Sequence, residues 1–510
     1  MRTAYSNKAS RLIGGRTSHK ISKITPKRAN FLGLRVANDA EQNALECLWV
    51  PAGALIKDEF SQNPAAMENA ICLRAAYARA PTYNLDVAAW ATPGHTFGDM
   101  PIVVTCGDEL QLPPVPETSS LLTPIEGRSK EHRCGVQIFQ QQTWVIRLQT
   151  MFRFNGNDSQ KKILELMRQP GGCRLTTSQW RELLSTDIAH GASLRGTEAY
   201  THCSYAWSSV CMGQAERSKT SAKMAGKTLY VIPAQDRICD RSAQEIRSLG
   251  LAKLVLQHPN MNDMNHLPGL ALLHNRMAVR CTMTLHQTEI PPDTTGTIQW
   301  IDLHPDDQAG AGAAEHATPL RLLTQFPHAV AIKIDGCDKQ FLPSEPCPKH
   351  ASTQACDQCT ECKFFKGVFL VKPMDAAEGS QPHAWRIEVQ DVNGATHQVK
   401  GFRRQLPLTT VWACTLFTLQ GSTAHEGLIF HWVFPNRISV EARWLATYVA
   451  LSRPPALALL RSIGMTGKLR TLIGKGPPEG LVQRFGELFD EKLELSDKFA
   501  ADLLRRHGWI

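Results

Sequence analysis

Pro101-Ile102-Val103-Val104-Thr105-Cys106 leads directly into Gly107-Asp108-Glu109-Leu110-Gln111-Leu112-Pro113-Pro114-Val115. An apolar, β-branched run bounded by turn residues reads as a buried strand of a parallel sheet, because a strand covered on both faces needs no polar alternation. The glycine ends the strand, and the paired prolines stiffen the chain after it, since each ring fixes φ. Gln111 is thereby held at the strand tip, where an amide can sense a terminal phosphate and report to bound nucleic acid. A strand, a turn and two prolines also suit a purely structural role, so the neighbouring chain has to be read with them.

Ala54-Leu55-Ile56-Lys57-Asp58-Glu59 is a second apolar run, closed by two acids. In an open parallel sheet ligands sit beyond the carboxyl ends of the strands, so acids placed there face a site. Phosphoryl transfer to water requires one carboxylate to hold magnesium, directly or through its water shell, and another to polarise the attacking water. Asp58 and Glu59 fit those two tasks, although a solvated turn after a strand would give the same string. Lys57 is out of keeping with its apolar neighbours and is expected to pair with an acid or project from the sheet edge. Residues 64–80 are long enough for a crossover helix, with Asn63 as its cap and Pro64 at the first helical position. Strands alternating with such helices give a parallel α/β pattern over residues 1–165.

Further along, residues 160–168 carry apolar positions at helical spacing, and 166–250 read as largely helical. Residues 265–400 change character, with strand-like pieces at 277–285, 297–303, 329–334, 367–373 and 385–389 that point to an inserted β module. Within it, 306–319 and 343–363 read as loops. A strand, loop and helix pattern returns over 401–465, with a helix over Val440–Leu451 stopped by Pro454-Pro455, and 466–510 read as terminal helices.

The chain has 510 residues, of which 43% are hydrophobic and 20% charged. That composition excludes collagenous, coiled-coil and wholly disordered chains. A domain takes about 100–200 residues, so two to four are expected. No apolar stretch reaches the roughly 18–20 residues needed to cross a bilayer. Residues 1–38 hold nine Lys or Arg and no acid, and the other 47 basic residues balance the 47 acidic ones. A basic, acid-poor start suits phosphate neutralisation on nucleic acid, and it is also how a mitochondrial transit peptide reads. Fifteen cysteines without a secretory signal point to reduced thiols in a cytosolic, nuclear or organellar interior.

Residues 107–115 match Gly-Asp-x-x-Gln-Leu-Pro-Pro-Val, the third motif of the superfamily 1 DNA helicases of the Pif and RecD type, and the chain resembles that family in further places. Leu12-Ile13-Gly14-Gly15-Arg16-Thr17-Ser18-His19 is similar to its DNA-contacting motif Ia, and residues 55–59 to its Walker B segment. Residues 148–154 resemble the fourth motif, whose arginine is Arg153, and 267–284 with 295–303 resemble the entry into its SH3-like module. Residues 415–423 resemble motif V, and Tyr448-Val449-Ala450-Leu451-Ser452-Arg453 resembles motif VI. The matches keep the family's order over residues 1–465, which makes the basic amino end DNA-binding fold rather than a transit peptide.

The resemblance implies an α/β chain of two RecA-like P-loop NTPase-type domains, the first incomplete, with an inserted SH3-like β module. It divides the chain into a first RecA-like domain over 1–145, the second over 146–264 and 401–470, the module over 265–400 and carboxyl-terminal helices over 471–510. It implies ATP-dependent, 5′ to 3′ unwinding of DNA in genome maintenance, repair and recombination, with ATP and magnesium as cofactors. The DNA partners would be single strands and duplex junctions, and the compartment nuclear or mitochondrial. Catalysis would rest on Asp58, Glu59, Gln111, Arg153 and Arg453, nucleotide binding on Asp58, Gln111 and Arg453, and magnesium on Asp58. Arg153 and Arg453 would act as fingers on the terminal phosphate. DNA contacts would come from Thr17, His19, Gln420, Gly421 and Thr423.

Two departures from the family pattern stand out. No Gly-x-x-x-x-Gly-Lys-Ser/Thr loop precedes motif Ia, and Gly226-Lys227-Thr228 has Ser221 where the first glycine belongs. Without that cradle ATP turnover is expected to be very weak, either because the sequence is amino-truncated or because the chain is a non-hydrolysing, single-strand-binding derivative. In motif V, Phe417-Thr418-Leu419 stand where the family has His-Lys. Separately, Cys356-x-x-Cys359-x-x-Cys362 with Cys347 or His350 could hold zinc, and a reduced, cysteine-rich excursion is the plainer reading.

Overall fold

The computed structural model describes the chain apart from residues 25–37, 84–95, 116, 149, 155–158, 173, 286–289, 309–319, 340–365, 376–383, 392 and 509–510. The proposed zinc ligands Cys347, Cys356, Cys359 and Cys362 lie outside the described residues. Among those described, no helix is long and apolar enough to cross a membrane.

The backbone forms two compact units, residues 1–193 with 416–510, and residues 194–415. In the first, four strands run parallel: β1 (Arg2–Ala4), β2 (Arg16–Thr17), β3 (Ala54–Asp58) and β4 (Ile102–Thr105), in the order β2-β1-β3-β4. A parallel neighbour cannot be reached by a tight turn, so β3 and β4 are joined through a long helix, Ala65–Tyr83. Its inward positions include Ala70, Ile71, Ala75 and Ala78, small enough to bring it close to Leu55 of the sheet, and Trp49, Met67, Phe97 and Ile138 fill the remainder of this core. Each fully buried large side chain there contributes about 1.5–3 kcal/mol.

Lys57, in β3, is only 4% exposed and pairs with Glu68 of that helix, the first of the two outcomes expected for it. Its ammonium also lies 4.6 Å from the Phe97 ring centroid. Asn63 does not cap the helix as expected: its Nδ2 donates to Glu68 Oε2 at 2.8 Å. The buried acid draws the amide away because a carboxylate in a dry interior needs every donor within reach.

The carboxyl-terminal part of this unit adds Leu428–His431 parallel to Leu460–Ile463, with the helix Val440–Leu451 between them in sequence. The terminal helices are Gly467–Ile473 and Glu479–Arg506. The second of these packs Phe489 edge-on to Phe139 at 5.1 Å.

The second unit contains the inserted β structure read from the sequence. Ala278–Cys281, Thr295–Asp302, Ala329–Ile334 and Val368–Val371 form a sheet edged by Leu408–Thr410. Gln235–Ile238 pairs with Thr396–Gln405, so chain before and after the β insertion shares one sheet. Arg403, fully buried, locks that pairing through both Asp236 oxygens, at 2.8 and 2.7 Å. Gly226 is the left-handed C-cap of the helix Trp207–Ala225, so Gly226-Lys227-Thr228 closes a helix instead of opening one, and it does not form a phosphate cradle.

Candidate active site

The carboxyl ends of β3 and β4 lie side by side, since Lys57 is in register with Thr105. Just beyond β3, Glu59 adopts a left-handed conformation, φ 56° and ψ 51°, and Asp58 Oδ1 accepts its N–H at 3.0 Å. A non-glycine residue held there costs of order 1–2 kcal/mol and persists only where its surroundings fix it. Just beyond β4, Gly107 has to be glycine, because a Cβ would sit 2.5 Å from the Phe60 ring. The next turn closes through Asp108, which accepts the Leu110 N–H on its carboxylate at 3.1 Å and the Gln111 N–H on its carbonyl at 3.2 Å.

Two oxygens at this point are buried without a hydrogen-bond partner among the described residues, Glu59 Oε2 and Gln111 Oε1. Burial is the main cause that pushes the Glu59 carboxyl up to about 7; Asp58 and Asp108 add to it, while Arg453 and Arg153 pull against it. Asp58 is also raised by burial, offset in part by the Glu59 N–H.

Arg453 follows the helix Val440–Leu451, as the sequence reading expected, and it is 2% exposed. It is built into the helix end, with Nε donating to Val449 O at 3.2 Å, Nη2 to Ser452 Oγ at 2.7 Å and Nη1 to Ser422 O at 3.3 Å. Burial, then Arg153, brings its pKa down to about 10, against the pull of Glu59, Tyr448 and Asp108. Arg153 donates to Ser452 O at 2.5 Å. Thus Asp58, Arg153 and Arg453, from three separate stretches of chain, lie within electrostatic reach of the buried Glu59 carboxyl, and Gln111 closes the turn beside Asp108.

Sequence reasoning did not single out Arg168. It bridges Asp108 at 3.1 Å, Glu109 at 3.1 Å and the Tyr448 hydroxyl at 2.6 Å, and that hydroxyl donates to Asp108 Oδ2 at 2.8 Å. Burial works to lower the Arg168 pKa, but Asp108, Tyr448 and Glu109 together raise it, so the guanidinium stays charged. Its only sequence signal was a place at the end of an amphipathic stretch, next to Gln169-Pro170.

The residues expected to touch DNA are differently disposed. Gln420, 2% exposed, donates its amide to Leu112 O at 2.9 Å, and a Cβ on Gly421 would stand 2.9 Å from Glu59 Oε1. Gly421 therefore abuts the acid cluster, and Gln420 has its side-chain amide committed to the backbone after β4. Thr423 is half-buried. Thr17 Oγ1 caps the short helix Ser18–Ser22 by accepting the Lys20 N–H at 3.2 Å, and the half-buried His19 ring lies 5.3 Å from Tyr5.

A magnesium nucleotide fits this donor set. The hard carboxylate oxygens of Asp58 suit the ion, the buried Glu59 carboxyl and the unpartnered Gln111 oxygen suit a water, and two guanidiniums suit a phosphate.

No family model matches the chain, and no curated protein matches it by sequence. Solved structures do. A Pif1 helicase described for DNA unwinding at forked duplex DNA by two coordinating helicases is 15% identical, with a TM-score of 0.52 over 96% of this chain and 87% of its own. A Bacteroides Pif1 bound to single-stranded DNA is 16% identical, with a TM-score of 0.50 over 96% and 88%. At that identity the likeness concerns the backbone: the chain has a mixed α/β fold like that of these Pif1 helicases.

Proposed function

We propose that the protein is a DNA helicase-type protein that couples a nucleotide between Asp58, Glu59, Gln111, Arg153 and Arg453 to its hold on a DNA strand. The observation that carries the reading is the buried, unpartnered Glu59 oxygen, surrounded by two acids and two arginines. A proton acceptor whose pKa sits near 7 is matched to general-base work on water at neutral pH. Magnesium, when bound through Asp58, would neutralise phosphate charge. Arg153 and Arg453 would stabilise charge developing on the terminal phosphate, and being fixed by carbonyls they need little reorganisation to do so. Gln111, on the turn set by Asp108, would position the water or the phosphate. The further reading, that this coupling drives 5′ to 3′ unwinding in genome maintenance, rests on the family resemblance.

A second reading is a single-strand-binding protein that does not hydrolyse ATP. Phosphate release from ATP, with and without single-stranded DNA, separates the two. Slow release that DNA stimulates and Glu59→Gln abolishes supports the first. DNA binding without any release supports the second, and release unchanged in Glu59→Gln contradicts the role given to Glu59.

A further inference from the structure

A helix that packs on a core normally turns its large apolar side chains inward. The helix Trp207–Ala225 of the second unit departs from that rule along one stripe. Cys211, Gln214, Ala215 and Ser218 follow one another there at the three- and four-residue spacing of a single helix face. Their side chains are short or polar, and the space they leave is open. A cavity of about 840 Å³, its mouth included, lies between this stripe and a wall that includes Leu256, Met261, Leu272 and Leu408. Small-molecule sites occupy roughly 300–1,000 Å³. Both sides of the cavity are held in place. Arg217 anchors the helix by donating to the Thr197, Glu198 and Tyr200 carbonyls at 2.5, 3.1 and 2.9 Å. Opposite, Leu270–Leu273 is paired antiparallel with Leu229–Pro233, and a Cβ on Gly269 would collide with the Leu256 carbonyl oxygen.

Two features decide what such a cavity would take. No Asp, Glu, Lys or Arg lines it among the described residues, and the His258 ring, which does, is engaged by Asp263 at 3.0 Å. An ion entering would lose its water without gaining a counter-charge. The second feature is Gln214 Nε2, buried with no hydrogen-bond partner among the described residues. A donor in that state costs free energy that an incoming acceptor would recover. The Cys211 thiol does not make the cavity reactive. It donates to Pro259 O at 3.3 Å, and burial pushes its pKa up to about 11, so it stays protonated.

We propose that this cavity binds an uncharged, largely apolar small molecule whose carbonyl oxygen accepts the Gln214 amide. The leucines and Met261 enclose the body of the ligand, the thioether adapting to its outline, and the short side chains of Ala215 and Ser218 admit a ring against the helix. The amide fixes its orientation. The site lies wholly within the second unit and does not rest on the nucleotide reading.

The probes are Nile red, a neutral ring dye with one carbonyl, and diphenylhexatriene, a hydrocarbon with no acceptor, each titrated into the intact protein and read by its emission. Both should bind saturably. The anionic dye anilinonaphthalenesulfonate should compete with Nile red only at concentrations at least about tenfold higher. Gln214→Leu keeps the bulk and removes the donor; it should weaken Nile red about threefold to tenfold and leave diphenylhexatriene unchanged. Ala215→Phe fills the space and should weaken both neutral dyes at least about tenfold. Leu270→Lys, on a lining side chain that is 47% exposed, should also weaken both while keeping the circular dichroism and melting temperature. Three results overturn the proposal: Nile red binding that is absent or untouched by both Ala215→Phe and Leu270→Lys, an equal change for the two neutral dyes in Gln214→Leu, or an anion that competes as well as a neutral dye.

Discussion

Glu59 concentrates the tension of the site in one side chain: a left-handed backbone, a buried oxygen with no partner and a carboxyl held near 7. A raised folded-state pKa means that the folded protein holds the proton more tightly than the unfolded chain. The stability this gives is complete below the unperturbed value of 4.5 and is lost as pH rises through about 7. Glu59→Gln is therefore expected to be more stable than the parent by up to about 3 kcal/mol above neutral pH, with the two converging toward about pH 4. Urea midpoints across that range measure it, and a constant difference at all pH values would contradict it. The same ionisation should make any ATP hydrolysis rise as pH passes about 7. Gly421→Ala puts a Cβ at positive φ against Glu59 and should cost about 1–2 kcal/mol, read from the same midpoints.

At the scale of elements, β3 is fastened to the helix Ala65–Tyr83 by a buried ion pair rather than by apolar contact alone. Lys57→Met would leave Glu68 charged in a dry interior, with the Asn63 amide still donating to it. A loss of about 3–5 kcal/mol is expected, largely recovered in the double variant Lys57→Met with Glu68→Leu. A thermal-melt double-mutant cycle that gave additive losses would contradict the pairing. This region also shows what a sequence discloses. The strand 102–105, the helix after Pro64 and the helix Val440–Leu451 were legible because each is a strong local pattern with a stop signal, but the strand is not buried as its apolar run suggested: Ile102 and Val104 are exposed, because burial depends on neighbours that no local pattern records. Asn63 was misread as a cap because its partner, Glu68, is a tertiary neighbour whose need for donors no local pattern records. Arg168, Tyr448 and the inward turn of Gln420 escaped for the same reason: their partners lie about sixty to over three hundred residues away in sequence.

At the scale of the whole molecule, the excess positive charge lies in residues 1–38, and DNA binding is expected to be electrostatic in large part. Affinity for single-stranded DNA should fall linearly in a log–log plot against salt, by about 0.7 for each phosphate neutralised. An affinity indifferent to salt would contradict that. The account's central claim is that segments far apart in sequence form one nucleotide site. Its most direct test is hydrogen exchange of the intact protein titrated with magnesium ATP. The expected result is joint protection of residues 58–60, 108–111 and 452–453 at a single nucleotide concentration; protection of one segment without the others, or of none, would contradict it.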